Sequence, residues 1–207
     1  MAALEIKDVP EFLEKLEKNE ARLFARTRRA IRFSLLTFQR PGEIRQAKWE
    51  EIDWNEKVWS IPAERTKMKR SHLVPLCSQV IEILKEQYEE TGHLKTPWVF
   101  PSIHKPPNAM SDGTVNVALK KLGYSGQMTA HGFRALARTA IRENLKYDSE
   151  IIERQLAHKA SGVLGEAYDR TKFIEDRIQM MQDWANYIDD LSSNSKIIRA
   201  NFQKKSA

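Results

Sequence analysis

The stretch His131-Gly132-Phe133-Arg134 sets an imidazole and a permanent cation three residues apart, at the head of what reads as a helix. Imidazole exchanges its proton near neutral pH, and residues at that spacing share one helix face, so a single bound phosphate could meet both. A helical His-x-x-Arg is also common as solvated surface, so the pair needs company. The chain supplies further cations, a second histidine and a tyrosine, and that set suffices for one reaction type. Metal-free transfer of a phosphodiester needs fixed positive donors on the nonbridging oxygens, where charge builds in the transition state. Arginine suits this because it is always charged and grips two oxygens at once. A tyrosine phenol can attack phosphorus if a neighbour takes its proton, and a lysine or histidine can protonate the leaving alkoxide.

Other chemistries lack their parts. His72, His93, His104, His131 and His158 are scattered, and neither a His-Glu-x-x-His run nor a cysteine pair offers metal-ligand spacing. There is no phosphate-binding Gly-x-x-x-x-Gly-Lys-Ser/Thr loop and no nucleophile elbow for a serine hydrolase. No metal or cofactor is expected. The single cysteine, Cys77, rules out an internal disulfide and suits a reducing compartment. No apolar run approaches a membrane span and the N-terminus is not a signal peptide, so a cytoplasmic protein without membrane partners is expected. The formal net charge of +6, from 34 Lys+Arg against 28 Asp+Glu, is modest for a nucleic-acid binder. Its distribution is more telling: Arg22, Arg26, Arg28, Arg29 and Arg32 crowd an early helix, and Arg65, Lys67, Lys69 and Arg70 crowd a short turn. Both clusters suit an anionic backbone, and equally a solvated basic face.

At 207 residues the chain fits one domain with a sizeable core. Helices are expected over residues 8–19 with Asp8 as cap and Phe12, Leu13 and Leu16 inward, and over 21–37 with Leu23, Phe24, Ile31, Leu35 and Leu36 inward. A third starts at Pro41, which suits a first helical turn, and runs to about Lys48. Arg40 therefore sits at a helix-to-helix joint. Val58–Pro62 and His72–Leu76 alternate as strands joined by the basic segment 63–71, with a third strand near Ile52–Trp54. Further helices are expected over Ser78–Thr91, stopped by Gly92, from Ser111 or Asp112 to Leu122, and from His131 to Asn144. Ser149 should cap a short helix ending at His158, and a long amphipathic one should span 173–191 with Ile178, Met181, Trp184, Ala185 and Ile188 as its seam. Ser192–Ser195 reads as a linker.

Leu36-Thr37-Phe38-Gln39-Arg40-Pro41-Gly42-Glu43-Ile44 with Trp49-Glu50-Glu51-Ile52-Asp53, then Ala130-His131-Gly132-Phe133-Arg134, Leu156-Ala157-His158 and Tyr168, together resemble the ordered boxes of the tyrosine recombinase (phage integrase) catalytic domain, in particular prophage and genomic-island integrases. The resemblance implies an α+β, mainly α-helical fold with a small antiparallel three-stranded sheet. It also implies a site-specific recombinase that cuts and rejoins DNA through a 3′-phosphotyrosyl intermediate, for integration or excision of a mobile element. On that resemblance Arg40 and Arg134 clamp the scissile phosphate, Glu43 supports Arg40, and Lys67 is the general acid, with Lys69 as its competitor. His131 handles the tyrosine proton, His158 contacts the phosphate and Tyr168 is the nucleophile. Arg65, Lys69 and Arg70 are candidate DNA contacts. Ala157 departs from the usual glycine, and the His158–Tyr168 interval is one residue longer than in many relatives.

The implied partners are double-stranded DNA at attachment sites and further copies in a recombinase tetramer, with excisionase or host DNA-bending proteins as auxiliaries. The chain reads as a single catalytic domain, 1–191, with a tail, 192–207, that docks on another protomer. Only about twenty residues precede the matched region, too few for the N-terminal DNA-binding domains of such proteins. A type IB topoisomerase-like activity and a non-catalytic DNA-binding or assembly module are the competing readings. Taken singly, each residue also has a plainer one: Arg40 as a helix cap paired with Glu43, His158 as a core histidine.

Overall fold

The structure, a computed structural model, describes residues 2–158 and 166–205, with side chains described for 2–158 and 173–193. Eight α-helices lie among these residues: α1 (Val9–Lys18), α2 (Ala25–Thr37), α3 (Pro41–Arg45), α4 (Ser78–Thr91), α5 (Thr114–Lys121), α6 (Gly132–Glu143), α7 (Ser149–Gln155) and α8 (Glu166–Lys205). Strands β1 (Ile52–Asp53), β2 (Val58–Ile61) and β3 (His72–Pro75) form one antiparallel sheet in that order, with Trp59 opposite both Ile52 and Val74 and Ile61 opposite His72. The expected α+β, mainly helical class with a three-stranded antiparallel sheet is what the chain adopts.

The core is continuous across sheet and helices. Alternation along β2 turns Trp59 and Ile61 fully inward. Phe33 of α2 meets the Trp59 ring at 5.5 Å and the Phe100 ring at 5.4 Å, both edge-on. Phe100 reaches it from the long connection after α4, which is pinned by Val99 N–H donating to Ala47 O at 2.8 Å and Trp49 N–H to Pro97 O at 2.9 Å. That pairing holds Lys48 in extended backbone opposite Trp98, before a 3-10 turn over Trp49–Glu51, which is why α3 stops at Arg45 rather than reaching Lys48.

Several expectations shift for local reasons. Helix α2 begins at Ala25, not Ala21, because Asn19 and Arg22 both take left-handed backbone (φ 51°) and the Asn19 amide brackets Leu23 from both sides. Phe24 then becomes the extended residue before the helix and is 58% exposed instead of core. Gly92 stays right-handed, so the chain makes one more 3-10 turn and stops at left-handed Lys95. Asp148, not Ser149, caps α7 by accepting the Glu150 N–H. Met180, Met181, Trp184, Ala185 and Ile188 line the buried seam of α8, while Ile178 is 49% exposed because Arg177 takes the inward place beside it. The backbone of α8 runs on through Ser192–Ser195, where a linker was expected. Residues 159–165, small, polar or aliphatic in sequence, lie outside the described residues. No helix among the described residues is long and apolar enough to cross a membrane.

The arginines of α2 do not form a free basic face. Arg26 and Arg29 pair with Glu90 of α4, Arg29 also donates to the Gln87 side chain at 2.8 Å, and Arg28 donates to Leu16 O at 2.9 Å. Arg32 reaches Asp189 of α8 at 3.5 Å. These cations bind α2 to its neighbours, so a basic run in sequence has become internal bracing.

Phe33→Ala should test the core directly. Removing a fully buried phenyl from between two aromatic rings is expected to cost about 3–5 kcal/mol, measured as the shift in free energy from urea unfolding at constant m-value.

Candidate active site

The last carbonyls of an α-helix have no partner within the helix, and in α7 the surrounding chain supplies them. Gln155 O accepts from Gln39 Nε2 at 2.9 Å and His72 Nε2 at 3.0 Å. Leu156 O accepts from Arg134 Nη2 at 2.8 Å, and Ala157 O from Arg40 Nη2 at 3.5 Å. Left-handed Ala157 (φ 52°) ends the helix and turns the chain so that His158 follows at once. A residue with a Cβ is thus accommodated where the family pattern has glycine, in a conformation glycine adopts more readily.

Arg134 is 5% exposed and spans two helix ends, because its Nη1 donates to Phe38 O, the left-handed cap of α2, at 2.9 Å. Burial first, and the Arg40 charge second, lower its pKa to about 10, so it stays cationic at neutral pH. Arg40 precedes Pro41 as expected. Its Nη1 donates to Glu43 Oε1 at 3.0 Å while its backbone N–H donates to Glu43 Oε2 at 3.1 Å. One buried carboxylate therefore fixes both the side chain and the main chain of Arg40, as a supporting residue must.

His158 Nε2 lies 3.4 Å from Arg134 Nη2. A guanidinium has only donors, so Nε2 accepts and the ring proton sits on Nδ1, which donates to Glu153. Burial would raise the Glu153 carboxyl, but hydrogen bonds from His158 and Arg138 prevail and hold it below the ordinary value. His131, at the head of α6, is exposed, and its pKa is lowered by partial burial and then by Arg134, Arg40, His158 and Lys67. The groups that act on His131 are thus the other expected members of the site. Arg40, Lys67, His131, Arg134 and His158 come from four separate places in the chain and share one region.

The connection between β2 and β3 sorts its cations. Lys67 is exposed, and its ammonium forms no hydrogen bond or ion pair among the described residues. Lys69 adopts left-handed backbone (φ 54°) and its Nζ is 3.5 Å from Glu64 O in its own turn. Arg70 is exposed. Arg65 differs from the surface reading: its guanidinium turns inward to the Glu51 carboxylate and to Glu43 O at 2.7 Å. Glu51 attracts it because that carboxylate is itself buried, where it also accepts the Trp59 indole N–H at 3.0 Å. Arg65 is therefore a brace between the connection and α3. Tyr168 falls in the first turn of α8, and its side chain lies outside the described residues.

Four contributors escape a motif reading: Gln39, His72, Gln155 and Glu153. Only His72 left a signal, since it shares a strand face with inward Val74 while Leu73 points out. Among the described residues, no group of three or more His, Cys, Asp or Glu could hold a metal ion.

A family model described as "Phage integrase family" matches residues 3–173. Prophage integrase IntA of Escherichia coli K12 is 39% identical over 172 residues, covering 83% of this chain and 41% of that protein. The integrase of Enterobacteria phage P4 is 37% identical over 202 residues, covering 90% and 45%. The chain thus spans less than half the length of these two relatives. Among solved structures, XerA recombinase superposes with a TM-score of 0.60 at 17% identity over 86% of this chain and 64% of that one. A lambda integrase tetramer bound to a Holliday junction gives 0.58 at 18% identity over 80% and 49%. The fold is shared with these recombinases.

His72 gives the site's foundation a pH signature. Burial, then Arg177, Arg40 and Arg134, lower its pKa to about 3, against the hydrogen bond to Gln155 O. The folded chain keeps it neutral while the unfolded chain protonates it near pH 6.5. Stability from this group is complete above pH 6.5 and is lost as pH falls toward 3. Between pH 6.5 and 5 the loss should approach about 2 kcal/mol, and His72→Gln should flatten that slope in pH-dependent urea melts.

Proposed function

The chain belongs to the phage integrase family, and from that premise we propose that it is the catalytic part of a site-specific tyrosine recombinase acting on DNA. The observation that carries this reading is the gathering of Arg40, Arg134, His158, His131 and Lys67 around one region, with both guanidiniums anchored on helix-end carbonyls. A phosphodiester seated there is gripped on its nonbridging oxygens by Arg40 and Arg134, with His158 in contact with the phosphate beside Arg134. Tyr168 Oη attacks phosphorus while His131, whose lowered pKa keeps it neutral at pH 7, takes the phenol proton. The new O–P bond makes a 3′-phosphotyrosyl link as the P–O5′ bond breaks, and the 5′ oxygen leaves with a proton from Lys67. A 5′-hydroxyl from another strand then reverses the steps and rejoins the backbone. No oxidant, reductant or nucleotide is consumed.

The unengaged Lys67 ammonium favours it over Lys69 as the acid, since Lys69 is occupied in its turn. Lys69 and Arg70 remain the DNA-facing cations of that connection. The partners on this reading are duplex DNA at attachment sites and further copies of the chain in a tetramer, the state of the lambda integrase complex that shares the fold. Excisionase or host DNA-bending proteins would assist. Residues 1–191 constitute the catalytic unit and 192–207 its tail.

The test is a nicked suicide duplex carrying the attachment site. A denaturant-resistant covalent adduct should form, and Tyr168→Phe should abolish it. Binding without adduct would favour a DNA-binding module, and supercoil relaxation without strand exchange a topoisomerase-like activity. Arg134→Ala should lower the adduct rate by about 10²–10³.

The acid assignment has its own check. A 5′-bridging sulfur leaves as thiolate without protonation, because thiols ionise near pH 8.5. Such a duplex should restore the rate of Lys67→Ala but not that of Arg134→Ala. Restoration of Lys69→Ala instead would move the acid to Lys69.

A further inference from the structure

Arg177 lies in the first third of α8, 8% exposed, and is held by neutral acceptors. Its Nε and Nη2 donate to Gln155 Oε1 at 3.0 and 2.7 Å, and Nη2 also donates to Leu73 O of β3. No carboxylate is among these partners. Among the described residues this buried cation has no counter-ion, which is a costly way to fill a core where a methionine or leucine of similar length would be cheaper. The Gln155 amide accepts a cost as well. An arginine can only donate, so the amide oxygen must face it, which leaves Gln155 Nε2 buried and unpartnered among the described residues. Two unfavourable features held together suggest that geometry, not cohesion, is what the contact provides.

The place of the contact says which geometry. Gln155 accepts Gln39 and His72 on its main-chain oxygen, and the next two carbonyls hold Arg134 and Arg40. Its neighbour Arg154 sits 3.9 Å over the ring of Phe173, one turn before Arg177 on α8. Consecutive residues of α7 thus grip α8 one turn apart. Tyr168 belongs to the same helix, nine residues before Arg177 and about 14 Å along its axis.

We propose that Arg177 is a positioning residue: by bridging Gln155 and Leu73 it fixes the rotation and advance of α8 against the phosphate clamp, and so sets the reach of Tyr168. This rests on Tyr168 being the nucleophile. Because a misplacement of about 1 Å can cost about 10²-fold in rate, the contact acts on cleavage and leaves DNA affinity alone.

The experiment measures single-turnover adduct formation on the nicked duplex beside DNA affinity and thermal unfolding, for Arg177→Gln, Arg177→Lys, Gln155→Leu and the double variant Arg177→Gln/Gln155→Leu. Arg177→Gln and Gln155→Leu should each keep Kd within about twofold and lose at least about tenfold in rate, and the double should lose no more than either, since both break one contact. Arg177→Lys retains the charge but not the planar fork, and should stay near Arg177→Gln. If Arg177→Gln does not fold, Gln155→Leu and Arg177→Lys carry the comparison. Full recovery by lysine would show that Arg177 supplies charge, and rates and affinities falling together would show bulk stabilisation. Additive losses would show two unrelated roles. Each of these overturns the proposal. Tyr168→Phe in the same assay keeps the readings apart: an adduct surviving it defeats the nucleophile assignment, whereas an adduct that vanishes there but forms at full rate in Arg177→Gln defeats only the positioning role.

Discussion

Two guanidiniums must sit close together, partly out of water, with no acid between them that would compete with a phosphate. The arrangement depends on how that repulsion is met. Glu43 neutralises Arg40 from one side, but Arg134 has no carboxylate partner among the described residues and relies on the carbonyls of Phe38 and Leu156. Both carbonyls stand at helix C-termini, where aligned peptide dipoles leave partial negative charge and oxygens without partners. The ends of α2 and α7 thus act as diffuse counter-ions that hold a cation without quenching it. A carboxylate in the same place would bind Arg134 more tightly and lower its attraction for a phosphodiester.

That solution explains which features were legible in the sequence. Arg40, His131, Arg134 and His158 could be found because their chemistry is in their side chains and their order follows the boxes of a known family. The carbonyls that seat them are main-chain atoms at helix ends, and no residue type announces those. Gln39 and Gln155 were invisible for the same reason, being neutral amides at positions fixed only after α7 and α2 approach. His72 was readable in principle as a polar side chain at an inward strand position. Side chains that point the unexpected way share another cause. Arg26, Arg28, Arg29 and Arg65 look like surface cations until their partners appear from distant segments: Glu90 on α4, Leu16 O on α1, Glu51 before β1. Helical periodicity marked Ile178 as core, yet Arg177 took the inward place, where it donates to Gln155 Oε1 and Leu73 O.

The glycine of His131-Gly132-Phe133-Arg134 has a steric reason that periodicity could not supply. A Cβ on Gly132 would collide with Ala2 O and press on Met128 Sδ. Thr129 completes the arrangement, with its hydroxyl accepting the Gly132 N–H at 3.0 Å and donating to Ala2 O at 3.2 Å. The head of α6 is therefore built against the segment before α1, and His131 stands on that seat. The imidazole is exposed, yet the backbone carrying it is tightly enclosed, which is how a side chain stays open to a substrate without losing its aim.

The same economy governs charge beneath the site. His72 lies within reach of Arg177, Arg40 and Arg134, and a protonated imidazole there would add a fourth positive charge in a dry region. Held neutral, it still donates its Nε2 proton to Gln155 O and secures the end of α7. Lysine or arginine could make that bond only by adding charge, and glutamate would cancel the clamp. A neutral donor is what the position requires, and histidine, kept far below its ordinary pKa first by burial and then by the cations around it, meets it. Burial and the cationic character of the site together keep its foundation neutral, and α7 can gather so much positive charge at one end without a further charge beneath it.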